Sequence, residues 1–112
     1  MNEYTPNYWK VIKITSTEGK VLYKVFATWV GGYTYGDSWK MNSGIEKVTV
    51  NDNEIVFEGY SGSKYRVLNK KESYGTTMFT QSVLESIMKK AELVGASVEE
   101  LPFQTDWTKL IV

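Results

Sequence analysis

The spacing of apolar positions changes once along the chain, and that change divides a strand-rich part from a helix. Residues 8–15 (YWKVIKIT) and 20–30 (KVLYKVFATWV) are rich in β-branched and aromatic side chains. The STEG between them is a turn signal, so the two runs predict a hairpin. In the second run Val21, Tyr23, Val25, Ala27 and Trp29 fall on one face, and Leu22, Phe26 and Val30 on the other. Both faces are largely apolar, which suits a central strand covered on two sides. IEKVTV (45–50) and EIVFEGY (54–60) flank NDN and predict a second hairpin. SKYRVLN (63–69) reads as a further strand, joined through the Gly59–Gly62 stretch. GGYTYGDSWKMNSG (31–44) is rich in glycine and aromatic residues and reads either as a long loop or as a short irregular strand around Tyr35–Met41.

Beyond these runs the period becomes 3.6. Val83, Leu84, Ile87, Met88, Ala91 and Val94 share one face of a helix over about residues 80–94. Thr80 is a suitable N-cap, with Phe79 and Leu84 at the staple positions around it. Gly95 suits the C′ position, and Lys89 and Lys90 lie near the negative end of the dipole. SVEEL (97–101) is a candidate short strand. WTKLIV (107–112) is too apolar for a free tail and is expected to pair with a sheet edge, dock on the core, or join two copies into a homodimer. The pattern as a whole predicts a single α+β domain over residues 1–112: one antiparallel sheet of about five to six strands with one amphipathic helix packed on one face.

Composition narrows the chemistry. Lys+Arg and Asp+Glu both count 13, so the net charge is zero. That argues against a DNA mimic and against a strongly basic nucleic-acid binder. The charge is uneven: residues 91–112 carry Lys109 against Glu92, Glu99, Glu100 and Asp106, which reads as an acidic, solvated tail. There is no Cys and no His. Disulfides, thiolate nucleophiles and the commonest general base and transition-metal ligand are therefore absent. No apolar run is long enough for a membrane span and the N-terminus has no signal-peptide pattern, so a cytoplasmic location is expected.

Each possible catalytic signal has a plainer reading. FEGYSGSKYRV (57–67) lies one register from the G-x-S-x-G elbow that exposes a nucleophilic serine. Residue 63 is serine rather than glycine, a strand follows rather than a helix, and no histidine exists to activate Ser61. The stretch is expected to be a turn. GGYTYGDS (31–38) lacks the ending of a phosphate-binding loop. Glu46 and Glu58 are placed to face one another across the second hairpin, and Asp37, Asp52 and Glu54 are candidate ligands for a hard cation, but with no EF-hand spacing. No catalytic residue, cofactor or metal site is expected, and the protein reads as a non-enzyme.

The aromatic load carries more. Eight Tyr, four Trp and four Phe make up 14% of the chain, more rings than one small core accommodates. Tyr33, Tyr35 and Trp39 stand among glycines, and Tyr60 and Tyr65 flank the 57–67 turn. Tyr and Trp give rigid contact area with a polar handle, so these five are the candidate partner-binding residues. In a second reading the rings stack bases while Lys40, Lys47, Lys64 and Arg66 bind phosphate, making a nucleic-acid or nucleotide-signal binding module that acts by sequestration.

SGIEKV (43–48), FEGYSGSKYRV (57–67) and SYGTTMFTQSVLESI (73–87) together resemble small accessory proteins, of the early host-takeover type, of T4-like tailed bacteriophages. The resemblance lies within residues 43–87 and leaves the N-terminal hairpin and the tail outside it. It implies expression in the cytoplasm of a bacterial host cell. It also implies a non-enzymatic role: binding and inhibiting a bacterial host protein such as a defence or metabolic factor. It supplies no catalytic residues.

Overall fold

The computed structural model describes residues 2–31 and 36–110. Among them are eight strands: β1 (Glu3–Tyr4), β2 (Tyr8–Thr15), β3 (Val21–Trp29), β4 (Ser38–Met41), β5 (Ile45–Val50), β6 (Glu54–Gly59), β7 (Lys64–Leu68) and β8 (Ser97–Glu100). They form two four-stranded sheets, ordered β1-β7-β6-β5 and β4-β3-β2-β8. Every pairing is antiparallel except β1 with β7. One α-helix, α1 (Met78–Leu93), packs on the outer face of the β4-β3-β2-β8 sheet. The α+β class and the antiparallel sheets agree with the pattern in the sequence. The single sheet of five to six strands does not, because the strands divide into a middle sheet and an outer sheet.

Three layers explain the apolar character of both faces of β2 and β3. One face of the middle sheet, with Trp9, Val11, Val25 and Ala27, meets Ile45, Ile55, Phe57, Tyr65 and Val67 of the outer sheet. The other face, with Ile12 and Phe26, meets Leu84 of α1. β6 and β7 alternate instead, because their second face lies in water. That outer face carries a ladder of alternating charge. Glu3 is paired with Lys64, Lys64 with Glu58, and Glu58 with Lys47, across all four strands.

The chain changes sheets at Asn42–Gly44. The Asn42 amide oxygen accepts the Val25 N–H at 2.9 Å, so a side chain takes the place of strand backbone there. Its Nδ2 is buried and meets no hydrogen-bond partner among the described residues. Gly44 adopts φ 143°, and a Cβ there would lie 2.7 Å from Leu22 Cδ1 and 2.9 Å from the Tyr60 ring. The corner therefore needs glycine for both conformation and space.

Trp9 is the centre of the inner core. Its ring meets Phe57, Tyr74, Phe103 and Trp107, with centroids 4.6–6.2 Å away. Its indole N–H donates to the Leu68 carbonyl at 2.9 Å. The tail closes this cluster: Trp107 is buried in it and Leu110 packs against it. The expected docking of the tail is thus seen for residues 107–110, and Ile111 and Val112 lie outside the described residues.

The helix begins three residues earlier than its sequence suggests. Thr77, not Thr80, is the N-cap; each threonine side chain meets the other's backbone N–H, at 3.3 Å and 2.9 Å. This is a capping box in which Thr80 takes the place usual for Glu or Gln. Thr80 is drawn inward by a 3.0 Å hydrogen bond to Thr28 on β3, which moves Phe79 to the exposed first turn instead of a staple. At the other end Gly95 donates to Glu92 and Ala96 to Ala91, a Schellman ending with Gly95 at C′ as its sequence predicts.

Two tyrosines tie the core to alkaline pH. Burial raises Tyr65 from 10.0 to about 12, with a smaller contribution from Tyr4. Burial also raises Tyr74 to about 12, partly offset by the N–H of Val11 that its oxygen accepts. The folded state holds these protons more tightly than the unfolded chain does. Their contribution is therefore complete below pH 10 and is lost as pH rises from 10 to 12, by about 1.4 kcal/mol per unit for each group. Urea unfolding followed across that range is expected to show a falling midpoint, with a shallower fall in Tyr74→Phe. A midpoint that stays flat from pH 10 to 12 would exclude the effect.

Candidate functional site

The helix does not cover its sheet evenly. Thr80 anchors one end of α1 to Thr28, and Gly95 sits against Thr17 at the other, so the helix runs parallel to β2. Its backbone lies nearest β8. A right-handed helix in this direction turns Phe79, Val83, Ile87 and Lys90 toward β3 and β4, and Glu85, Met88 and Glu92 toward β8. The β3–β4 half of the face is covered less evenly: Phe26 and Thr28 are fully buried, Leu22, Lys24 and Met41 are half-buried and Trp39 is exposed, so a shelf of partly covered side chains lies beside the helix.

Strand parity fixes what lines the shelf. Leu22, Lys24, Phe26 and Thr28 alternate onto the helix side of β3. Trp39 is paired with Thr28, and Met41 with Phe26, so both face the same way from β4. Trp39 lies flat on Phe26, with centroids 5.5 Å apart and planes 14° from parallel, and it keeps 40% of its surface exposed. At the other end Tyr60 rests over Gly44 beside Leu22 and is 61% exposed. Phe79, at 55%, and Met78, at 90%, extend the exposed apolar surface on the first turn of α1. Three exposed rings from distant parts of the sequence, Trp39, Tyr60 and Phe79, thus border one strip that is apolar apart from Lys24.

The remaining predicted residues fall elsewhere. Tyr33 and Tyr35 lie outside the described residues. Tyr65 is a correction: it is 1% exposed, packed between Tyr4 and the inner core, because odd positions of β7 point between the sheets. It has no surface to offer a partner. Lys40 extends over the Tyr4 ring, 5.1 Å from its centroid, on the side of β4 away from the helix. Lys47, Lys64 and Arg66 do share one face, the outer one, but acids are interleaved with them. Arg66 is held by Glu3 at 3.0 Å and Glu54 at 2.6 Å, and both bonds raise its pKa. Lys47 is 4.0 Å from Glu58. A phosphate there would compete with carboxylates already in place.

The carboxylates expected to act together are held apart. A bulge at Glu46 brings Lys47 opposite Glu58, so Glu46 and Glu58 do not face one another. Asp37, Asp52 and Glu54 do not converge: no group of three or more such ligands comes together among the described residues. Ser61 lies exposed in the turn from β6 to β7, with Gly62 at φ 92° and its own N–H donated to Ser43. The 57–67 stretch is a glycine-shaped turn that puts Tyr60 on the surface. No helix among the described residues is long and apolar enough to cross a membrane.

The shelf was only partly visible in the sequence. Trp39 and Tyr60 stood out as aromatic residues beside glycines. Leu22, Lys24, Phe79 and Lys90 gave no sign of a shared surface, because their association depends on where the helix lies across the sheet. No protein-family model, curated protein or solved structure matches the chain.

Proposed function

We propose that the protein is a non-enzymatic binding module that engages a partner protein through the shelf between α1 and β4. The observation that supports this is the uneven cover of the middle sheet, which leaves Trp39 and Tyr60 exposed at the two ends of one apolar strip. Trp and Tyr are enriched among the few residues that carry most of the binding energy in protein interfaces. The resemblance to accessory proteins of T4-like phages extends the reading. The partner is then a bacterial host protein in the host cytoplasm, such as a defence or metabolic factor, and binding inhibits it by steric block.

Affinity capture from nuclease-treated bacterial lysate tests the reading. The wild-type chain is expected to retain a reproducible protein partner, and Trp39→Ala and Tyr60→Ala to lose it at least tenfold. Trp39→Ala uncovers Phe26 and is expected to cost the fold about 1–2 kcal/mol, leaving it intact by circular dichroism. Equal capture by all three proteins would refute the site, and so would a Trp39→Ala chain that fails to fold.

A further inference from the structure

We infer that the segment bound on the shelf is acidic as well as apolar, an inference that rests on the binding role proposed above. The charge around the shelf has one sign. Lys24 stands on the helix side of β3 between Leu22 and Phe26, half-buried. Lys90 ends the helix flank that starts at Phe79 and passes through Val83 and Ile87. Neither lysine makes an ion pair among the described residues.

The nearby acids are turned away or engaged. Glu85 and Glu92 lie on the β8 flank of α1. Glu100, on the helix side of β8, is held by Lys10 at 2.5 Å. Glu18 belongs to the β2–β3 turn, 4.0 Å from Lys20. Asp37 precedes β4 and accepts the Gly31 N–H. Glu46 sits in the bulge of the outer sheet.

A neutral apolar partner laid on this strip would strip water from two unpaired ammonium groups, which is costly. Carboxylates on the partner convert that cost into charge-assisted hydrogen bonds and steer the encounter. Phosphate would satisfy the lysines equally well, but it brings nothing to cover Leu22, Met41, Val83 and Ile87. The partner's chemistry is therefore a protein segment in which apolar and acidic side chains alternate.

Fluorescence anisotropy with labelled dodecapeptides tests this, using alternating Leu/Glu, Leu/Lys and Ser/Glu sequences and a single-stranded oligonucleotide as probes. The Leu/Glu peptide is expected to bind, and Lys24→Glu/Lys90→Glu to weaken it about tenfold, an effect reduced by added salt. The Leu/Lys peptide is expected to bind the wild-type chain at least tenfold more weakly. The acidic reading is overturned if Leu/Glu fails to bind or ignores the double reversal. It is equally overturned if Ser/Glu or the oligonucleotide binds as tightly. Self-association of the wild-type protein that the reversal abolishes would assign the shelf to a second copy instead. Capture from lysate that needs Trp39 but tolerates the double reversal would leave the contact role standing and remove only the acidic chemistry.

Discussion

Trp9→Ala is expected to lower the unfolding free energy by about 3–5 kcal/mol, measured by urea denaturation. A domain of this size has only about 5–15 kcal/mol in total, so the variant is close to the limit of folding. The size of the effect follows from position. Trp9 is fully buried, and four aromatic rings from the outer sheet, the segment before α1 and the tail converge on it. Removing its ring leaves a cavity that these parts cannot all close upon, since each is fixed by its own element. The Leu68 carbonyl also loses its donor. Trp9→Phe separates the two effects: it keeps most of the packing and costs about 1–3 kcal/mol for the unpaired carbonyl. If Trp9→Ala cost less than 1 kcal/mol, Trp9 would not be the centre of the inner core.

Leu84→Ala is expected to cost about 2–5 kcal/mol, with the damage concentrated on the helix layer. Leu84 is the one fully buried apolar side chain of α1 among the described residues. It seats the helix on Ile12 and Phe26. Val83, Ile87, Met88 and Ala91 are only half-buried and make a weaker anchor, and Val94, the C-cap, is exposed. Hydrogen exchange is expected to show α1 amides opening well before those of β2 and β3, which the inner core still holds. Uniform loss of protection across helix and sheets would show that the helix and the sandwich are one cooperative unit, not two.

The two expectations bear on what was legible in the sequence. The apolar character of both faces of β3 announced a strand covered twice, and the structure supplies both covers. What the pattern did not contain was the division into two sheets. Strand periodicity is the same whether successive hairpins join side by side or fold face to face. The difference lies in Asn42–Gly44, where a buried asparagine substitutes for a strand and one glycine turns the corner. β1 escaped notice because two residues carry no period. Thr80 resembled a cap for a good reason: it does belong to the capping box, at the other end of it. Tyr65 looked like Tyr60, since both flank the same turn, yet Tyr65 occupies an inward position of β7 while Tyr60 lies beyond the end of β6 and stays exposed. The shelf is a tertiary feature for the same reason. Trp39 and Tyr60 are 21 positions apart in the numbering and meet only through β3.

The most direct measurement is an amide and indole NMR map of the isotopically labelled chain with its captured partner added. The expected perturbations fall on Leu22, Lys24, Trp39, Met41, Tyr60, Phe79, Val83 and Ile87, with the Trp39 indole signal among the largest. Perturbations centred on Lys47, Lys64 and Arg66, with the shelf unchanged, would move the binding surface to the outer sheet and contradict the account.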